Sequence, residues 1–225
     1  MCMELNKIYC MDCFDGMGQL PDNSIDLIIA DPPFGINHEN ALWDKDINFR
    51  ELMIKLDKEF MRLLKTGCYY FCWIPRTELF NIGTYMQDLH LFLEIHPTGS
   101  HIQKTEVIPA KRFSPLIVKA KDRPRVDIKR SRDYIITHAG LTNNKYRVNT
   151  ENHPSVKGLD TTDFIVKRYS LENEVVLDPM IGSGTILVSC KKYNRRFIGF
   201  EINPEYVKIA QNRLDNVPTN INEWF

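Results

Sequence analysis

The residue types with the most evident chemistry stand together in one stretch, Ala30-Asp31-Pro32-Pro33-Phe34-Gly35. The apolar run before it, residues 25–30, has the length and β-branched content of a buried strand. The two prolines fix two φ angles and remove two N–H donors, so the strand stops abruptly and leaves rigid carbonyl acceptors. Asp31 is therefore expected at the C-terminal end of a strand, where open α/β sheets bind ligands. A carboxylate, fixed carbonyls and the ring of Phe34 suit a planar ligand that carries an amino group.

A second stretch, near the other end of the chain, has the pattern of a nucleotide-binding unit. A strand is predicted over residues 174–177, followed by Asp178-Pro179-Met180-Ile181-Gly182-Ser183-Gly184-Thr185 and then by a helix over about 185–193. Gly182 and Gly184 allow a tight turn in which backbone N–H groups at a helix N-terminus meet an anion. Glu201 follows about 20 residues later, at the end of the next predicted strand, where such units place the acidic residue that binds ribose hydroxyls.

The glycine pattern narrows the class of nucleotide. It lacks the third glycine of the dinucleotide fingerprint, and no P-loop lysine follows it. We therefore expect an adenosine-like ligand without a pyrophosphate. S-adenosylmethionine fits, with its ribose on Glu201 and its amino-acid end over the glycine turn. A nicotinamide-dependent enzyme is the alternative interpretation of the same unit.

A parallel sheet is needed to bring the two stretches together, and the rest of the chain predicts one. Strands are predicted over residues 7–10, 25–30, 68–74, 89–96, 113–118, 174–177 and 196–200. A turn or short helix is predicted over 12–20, and helices over 49–64, 76–88, 159–169 and 185–193, with a last helix that Asn203 and Pro204 begin. Gly67 is expected to end the second helix. Alternating strands and helices predict an α/β fold with a mostly parallel, doubly wound sheet.

Composition excludes several classes of protein. The 225 residues suffice for one large domain, or one domain with an insert, and the formal net charge is zero, so nucleic-acid binding would need a local basic patch. No apolar run reaches the length of a membrane span, and the six cysteines are expected to be reduced thiols in the cytoplasm. Cys10-Met11-Asp12-Cys13 has no second ligand pair at a matching interval, so no metal site is predicted.

A local basic patch is present where the strand–helix rhythm breaks, between residues 97 and 150. Over residues 119–147 the basic residues outnumber the acidic ones, since the acidic residues there are Asp122, Asp127 and Asp133. The basic residues of this span are Lys119, Lys121, Arg123, Arg125, Lys129, Arg130, Arg132, Lys145 and Arg147. Such a patch could neutralise phosphates, or it could be a solvated insert without a partner. Trp43 lies in the long polar segment after Phe34 and is expected either to contact substrate or to anchor that segment to the core.

Together these stretches resemble the DNA amino-methyltransferases, which modify adenine-N6 or cytosine-N4, in the subgroup whose catalytic motif precedes the cofactor glycines. Further matches are Asp12-Cys13, His153-Pro154-Ser155-Val156-Lys157 and the segment 197–206. The chain departs from the family at Met180, where Phe is usual, and at Gly158, where Pro is usual. The resemblance implies a Rossmann-like class I S-adenosylmethionine-dependent fold, circularly permuted. It divides the chain into a catalytic half (1–96), an inserted target-recognition region (97–150) and a cofactor-binding half (151–225).

The resemblance also implies roles for individual residues. The catalytic residues would be Asp31, Pro32, Pro33 and Phe34, with Asp31 and the Pro32 carbonyl accepting from the target amino group and Phe34 stacking on the extruded base. The cofactor-binding residues would be Asp12, Cys13, Asp31, His153, Lys157, Asp178, Gly182, Ser183, Gly184, Thr185, Glu201 and Asn203. The DNA-binding residues would be Trp43 and the nine basic residues named above.

The expected function is site-specific methylation of double-stranded DNA at adenine-N6, because Asp opens the catalytic motif where many cytosine-N4 enzymes carry Ser. A cytosine-N4 methyltransferase, an RNA methyltransferase and a non-catalytic, cofactor-sensing DNA-binding protein are the alternatives. The sequence leaves open whether the protein forms a homodimer and whether a cognate restriction endonuclease accompanies it.

Overall fold

The computed structural model describes residues 3–35, 47–95, 113–125, 133–137 and 158–217. These ranges form one eight-stranded sheet with helices on both faces. The strands are β1 (Lys7–Cys10), β2 (Ile25–Ala30), β3 (Leu64–Trp73), β4 (His90–Ile95), β5 (Phe113–Ala120), β6 (Tyr134–Ile136), β7 (Val175–Asp178) and β8 (Arg196–Glu201). The helices are α1 (Cys13–Gly18), α2 (Phe49–Leu63), α3 (Leu159–Tyr169), α4 (Thr185–Lys192) and α5 (Pro204–Asp215).

The order of strands across the sheet is β1-β8-β7-β2-β3-β5-β4-β6. Every strand runs parallel to its neighbours except β5, which is antiparallel to both β3 and β4. The carboxyl ends of β1, β8, β7, β2 and β3 therefore share one edge of the sheet. This arrangement confirms the predicted α/β fold with a mostly parallel, doubly wound sheet.

The direction of winding reverses between β7 and β2. From β2 the chain passes through α2 to β3 on one side, whereas from β7 it passes through α4 to β8 on the other side. Connections that leave neighbouring strands in opposite directions open a crevice at the carboxyl edge, which is where open α/β sheets bind ligands. The two stretches singled out in the sequence follow the strands on either side of this point.

The strand register deepens the crevice. Asp178, the last residue of β7, pairs with Gly199, so Glu201 lies two positions further along β8. On the other side Leu177 pairs with Ile28, which places Asp31 two positions beyond the level of Asp178. At roughly 3.3 Å per strand residue, β7 stops about 7 Å short of the levels of Asp31 and Glu201. We call this opening, with Asp178 at its floor and Asp31 and Glu201 on its flanks, the β7 recess.

Two hydrophobic layers hold these strands in place. On one face Ile28 of β2 packs in a cluster with Leu56 and Phe60 of α2. On the other face Leu27 packs in a cluster with Ile165 of α3. Every residue of β2 is buried, and each of its leucine and isoleucine side chains contributes about 1.5–3 kcal/mol. The strand that carries Asp31 is thus fixed from both sides.

The helix over residues 49–64 differs from its prediction at its end. It stops at Leu63, and β3 begins at Leu64, so the prediction that Gly67 ends the helix is wrong. Gly67 lies inside β3 with φ +79°, and its N–H donates to the Lys121 carbonyl oxygen at 2.7 Å. A Cβ there would come within 3.3 Å of the Arg123 carbonyl oxygen. Glycine is needed here because the chain after β5 passes against it.

Residues 76–88 form no α-helix, and that prediction is also wrong. Two short 3₁₀ turns, Arg76–Glu78 and Ile82–Thr84, take its place. Ile82 and Met86 are buried, but the rest of the segment lacks a continuous apolar stripe. Without such a stripe, packing cannot stabilise a helix that Gly83 already disfavours.

Two strands come from the range predicted as an inserted region, residues 97–150. β5 pairs along its length with β3 and β4, and β6 pairs with β4. These parts of the range therefore belong to the central sheet. The remaining residues of the range, apart from 121–125, 133 and 137, lie outside the described residues, and a target-recognition role for them stays a prediction.

Among the helices within the described ranges, none has the length and apolar character needed to cross a membrane.

Candidate active site at the carboxyl edge

The glycine turn after β7 is held by backbone hydrogen bonds, one to β8 and one within the turn. The N–H of Ile181 donates to the Phe200 carbonyl oxygen at 3.0 Å, and the N–H of Gly184 donates to the Ile181 carbonyl oxygen at 2.9 Å. Gly182 has φ +50° and Gly184 has φ +81°, conformations that only glycine adopts at little cost. A Cβ on Gly184 would also lie 2.8 Å from Cβ of Ala210 in α5. The turn therefore presents bare backbone to the β7 recess.

Glu201 is fixed by both of its carboxylate oxygens. Oε2 accepts from the N–H of Gly182 and Oε1 accepts from the N–H of Asn203, each at 2.9 Å. Its carbonyl oxygen accepts from the N–H of Met11 at 3.0 Å, which ties the segment after β1 to the same place. Each carboxylate oxygen keeps a second lone pair, so Glu201 can accept further hydrogen bonds from hydroxyl groups of a ligand.

Asp178 forms a buried acidic floor. Its Oδ1 accepts from the N–H of Met180 at 3.2 Å, and among the described residues none donates to Oδ2. Burial raises the pKa of Asp178 well above its usual range; the hydrogen bond from Met180 opposes this shift, and the negative charges of Asp31 and Glu201 add to it. A buried carboxylate oxygen without a donor, next to two further carboxylates, favours the binding of a cationic group.

The Asp31–Phe34 stretch lies on the other flank of the recess. Asp31 is half-buried, Pro32 is buried, and Phe34 packs against the ring of Phe49 at the start of α2, with centroids 6.0 Å apart and planes at 80°. Gly35 has φ +68°, and any side chain there would overlap the carbonyl of Ile47. The turn is therefore packed against the N-terminus of α2, which restricts its movement.

Other predicted cofactor residues lie at the same edge with structural roles of their own. Asp12 caps α1 by accepting from the N–H of Phe14 at 2.8 Å, and Asn203 caps α5 by accepting from the N–H of Glu205 at 2.9 Å. Burial and the adjacent Asp12 raise the pKa of Cys13 to about 12, so its thiol is protonated at neutral pH. His153 and Lys157 lie outside the described residues.

The predicted DNA-binding residues on and after β5 are not brought to this edge. Lys119 forms an ion pair with Asp57 of α2 at 3.0 Å, and Asp57 also accepts from the hydroxyl of Tyr70 at 2.8 Å. Lys121 donates to Oδ1 of Asn23 at 2.7 Å. Because β5 runs against β3, its carboxyl end lies beside the beginning of β3, at the edge of the sheet opposite the recess.

Arg125 also lies at that opposite edge. Its guanidinium pairs with both oxygens of Glu174, at 2.5 and 2.7 Å, just before β7. Arg123 is exposed in the same loop. The charges of Lys119 and Arg125 are thus matched by carboxylates of the chain itself. The other predicted contacts, Trp43, Lys129, Arg130, Arg132, Lys145 and Arg147, lie outside the described residues.

Sequence reasoning missed Arg213, which contacts the glycine turn. Its Nη1 donates to the carbonyl oxygen of Ser183 at 2.6 Å and to Oγ1 of Thr185 at 3.0 Å. The two partners lie about 30 positions earlier in the chain, and no local motif connects them to an arginine near the end of an amphipathic helix. Only the packing of α5 against the turn reveals this contact.

Comparison with known proteins agrees with this geometry. A family model described as DNA methylase matches residues 25–212, which is well over half of the chain. The chain belongs to the DNA methylase family. The match includes both flanks of the β7 recess, and the family resemblance drawn from the sequence is confirmed.

Individual relatives cover nearly the whole chain. The Type II methyltransferase M.HpaI of Haemophilus parainfluenzae is 28% identical over 93% of this chain and 74% of its own length. The DNA adenine methyltransferase YhdJ of Escherichia coli K12 is 27% identical over 94% of this chain and 83% of its own length.

Solved structures share the fold of this DNA methylase. The cytosine-N4-specific PvuII DNA methyltransferase superposes with a TM-score of 0.78 at 17% identity, over 97% of this chain and 90% of its own. The M1.HpyAVI complex with S-adenosylmethionine superposes with a TM-score of 0.67 at 21% identity, over 93% and 98%. At these identities the similarity establishes the class I methyltransferase fold.

Proposed function

We propose that this DNA methylase transfers a methyl group from S-adenosylmethionine to the exocyclic N6 amino group of an adenine extruded from double-stranded DNA. The observation that carries the proposal is the β7 recess, which places the Asp31 turn and the Glu201–glycine turn on either side of Asp178. One flank suits an amino-bearing planar base, and the other suits an adenosine-like cofactor.

The residues of the recess fit S-adenosylmethionine. Glu201 has lone pairs for ribose hydroxyls, and the turn at Gly182 and Gly184 admits a close approach to its backbone. The unpartnered Oδ2 of Asp178 supplies an acceptor in a cluster of negative charge, which favours a cofactor that carries positive charge. When bound, the cofactor supplies an electrophilic methyl group on a sulfonium centre.

The Asp31 turn would activate the target amino group. The lone pair of an exocyclic amino nitrogen is conjugated into the base, so the nitrogen is a poor nucleophile. The Asp31 carboxylate and the Pro32 carbonyl can accept its two N–H bonds, which favours the tetrahedral nitrogen and stabilises the positive charge that develops on it. Phe34 would stack on the extruded base and keep it within reach, since positioning supplies much of the rate.

DNA contacts are assigned to the basic residues outside the described part of the chain, together with Trp43. Lys119 and Arg125 already pair with carboxylates at the opposite edge, so we leave them, with Lys121 and Arg123, out of the proposed DNA surface. Lys129, Arg130, Arg132, Lys145 and Arg147 supply the positive charge that binding of a phosphate backbone requires.

Adenine is the proposed target because Asp31 opens the catalytic motif, and YhdJ, a relative over nearly the whole chain, is named as an adenine methyltransferase. Digestion of methylated DNA and mass spectrometry of the nucleosides test this assignment. The wild-type protein, incubated with labelled S-adenosylmethionine and unmethylated genomic DNA, should produce N6-methyladenine. Asp31→Ala should produce none, whereas the matched control Asp215→Ala, at the exposed end of α5, should match the wild type.

Each contrary outcome identifies an alternative. N4-methylcytosine as the only product would assign the chain to the cytosine-N4 branch, and label transferred to RNA but not to DNA would change the substrate class. A wild-type protein that binds the cofactor and transfers nothing would be a cofactor-sensing DNA-binding protein. A homodimer and a cognate restriction endonuclease stay predictions of the family resemblance, and a cytoplasmic location stays a prediction from the composition. The molecular mass in solution, measured by light scattering, tests the first.

A further inference from the structure

Helix α5 packs against the glycine turn. Ala210 approaches Gly184 so closely that a Cβ on the glycine would lie 2.8 Å from Cβ of Ala210. Arg213 lies three residues later, on the same side of the helix as Ala210. The same face of α5 therefore places the Ala210 methyl group against Gly184 and the Arg213 guanidinium against the two residues that flank Gly184.

Arg213 contacts three oxygen atoms of the turn. Its Nη1 donates to the carbonyl oxygen of Ser183 at 2.6 Å, to Oγ of Ser183 at 3.2 Å and to Oγ1 of Thr185 at 3.0 Å. Ser183 and Thr185 are themselves buried, and their hydroxyl oxygens lie 3.3 Å apart. Burial lowers the pKa of Arg213 to about 10, so the side chain still carries its charge at neutral pH.

Arg213 and Glu201 hold the turn at different residues. Glu201 holds the N–H of Gly182, at the start of the turn, while Arg213 holds the oxygens of the two residues that flank Gly184. Because a hydroxyl that accepts from Arg213 must direct its proton elsewhere, the guanidinium also fixes which way the Ser183 and Thr185 hydroxyls can donate. Charged hydrogen bonds are roughly twice as strong as neutral ones, so this restraint is substantial.

We propose that Arg213 is a positioning residue that holds the Ser183–Thr185 turn in the conformation that binds the cofactor. It acts from α5 through the turn. The inference rests on the proposed use of S-adenosylmethionine and is independent of which base is methylated.

A matched control lies at the other edge of the sheet. Arg195 is likewise partly buried and donates to the carbonyl oxygen of Ser170 at 2.6 Å and to Oγ of Ser170 at 3.0 Å. It precedes β8 and contacts the end of α3, so it is remote from the β7 recess. Replacing either arginine by Met removes charged hydrogen bonds to a serine and a carbonyl, but only Arg213→Met loosens the glycine turn.

The test is calorimetric titration of S-adenosylmethionine into the wild-type protein, Arg213→Met, Arg213→Lys and Arg195→Met, with Tm measured for each. Both Met variants should lower Tm, but only Arg213→Met should raise the Kd of the cofactor, by roughly tenfold or more. Arg213→Lys keeps the charge and one donor direction, so its Kd should lie between those of the wild type and Arg213→Met.

Three results would overturn the inference. The first is a folded Arg213→Met variant with the wild-type Kd, and the second is an Arg195→Met variant that weakens binding equally, because loss of stability alone would then explain the effect. If Arg213→Met does not fold, Arg213→Lys takes its place, and an unchanged Kd there has the same meaning. The third is a wild-type protein that binds no cofactor, which refutes the proposed function as well. The first two results leave cofactor binding by the wild type intact, so failure of this inference and failure of the proposed function are distinguishable.

Discussion

The backbone N–H of Gly182 donates to Oε2 of Glu201 at 2.9 Å. This hydrogen bond joins the turn after β7 to the tip of β8, and a second bond, from the N–H of Asn203 to Oε1, holds the other carboxylate oxygen. The acidic residue that would bind the ribose thus also shapes the glycine turn. Changes at Glu201 should therefore affect cofactor affinity and local stability together.

Replacement of Glu201 by Gln tests this double role. An amide would present an N–H group to one of the two backbone N–H donors, leaving a donor unsatisfied at a cost of about 1–3 kcal/mol. The Kd of S-adenosylmethionine should rise roughly tenfold or more, and Tm should fall. Glu205→Gln is the control, since the Glu205 carboxylate pairs with Lys208 at the exposed surface. Equal Kd values for the two variants would contradict the role assigned to Glu201.

Gly184→Ala should destabilise the protein. The left-handed conformation at φ +81° costs a non-glycine residue about 1–2 kcal/mol, and the new Cβ would press on Ala210. Urea denaturation should show this loss, and Gly184→Ala/Ala210→Gly should recover only the part that comes from the clash. Gly83→Ala is the control, because no atom of the described residues lies within 4 Å of a Cβ there. A Gly184→Ala variant as stable as Gly83→Ala would show that the turn is not constrained in this way.

Asp178 should make the stability of the ligand-free protein fall as pH rises. Its pKa is raised in the folded state by burial and by the neighbouring carboxylates, whereas in the unfolded chain it ionises near pH 3.9, the ordinary value for Asp. Between those two pKa values the folded state binds more protons than the unfolded state. Stability is therefore greatest below the unfolded pKa and declines through this window as pH increases.

Asp178→Asn isolates this effect, because an amide keeps the acceptor for the Met180 N–H and cannot ionise. The free energy of unfolding of the variant, measured by urea titration at a series of pH values, should increase relative to that of the wild type as pH rises above about 3.9. Parallel curves for the two proteins would show that Asp178 does not carry a raised pKa.

Asp31→Asn should separate catalysis from cofactor binding. The variant keeps the size of the side chain but loses the negative charge that stabilises the amino group as positive charge develops. We expect kcat to fall about 10²–10³-fold, the range seen when one preorganised electrostatic contact is removed. The Kd of S-adenosylmethionine, measured by calorimetry, should change by only a few-fold. A variant that retains wild-type kcat would exclude Asp31 from the chemical step.

The two groups of basic residues should behave differently. Arg125→Met breaks the pair with Glu174 at the far edge of the sheet and should cost about 1–2 kcal/mol of stability without changing DNA affinity. Replacement of Lys129, Arg130 and Arg132 by Gln should instead weaken DNA binding and reduce the slope of log K against log salt by about 0.9 for each phosphate that the protein no longer neutralises. The opposite pattern would place the DNA surface at the far edge.

Local patterns in the sequence determined the elements that carry the chemistry. The apolar run of β2 and the two prolines after it are contiguous, so their consequences do not depend on distant partners. Helix α3 over residues 159–169 and the Asn203 cap of α5 agree with the prediction for the same reason. Gly182 and Glu201 lie within one strand–helix–strand unit, whose geometry is nearly constant, and the structure joins them by a direct hydrogen bond.

Tertiary structure alone decided which charges and loops serve the site. Lys119 and Arg125 have the same sequence pattern whether they bind phosphate or a carboxylate of the chain, and their partners lie 62 and 49 positions away. Gly67 resembled the end of a helix until the strand pairing of β5 explained its φ. Arg213 reaches Ser183 across 30 positions because α5 packs under the glycine turn. Periodicity reports only interactions between residues close in sequence, whereas these contacts depend on which surfaces the completed sheet brings together.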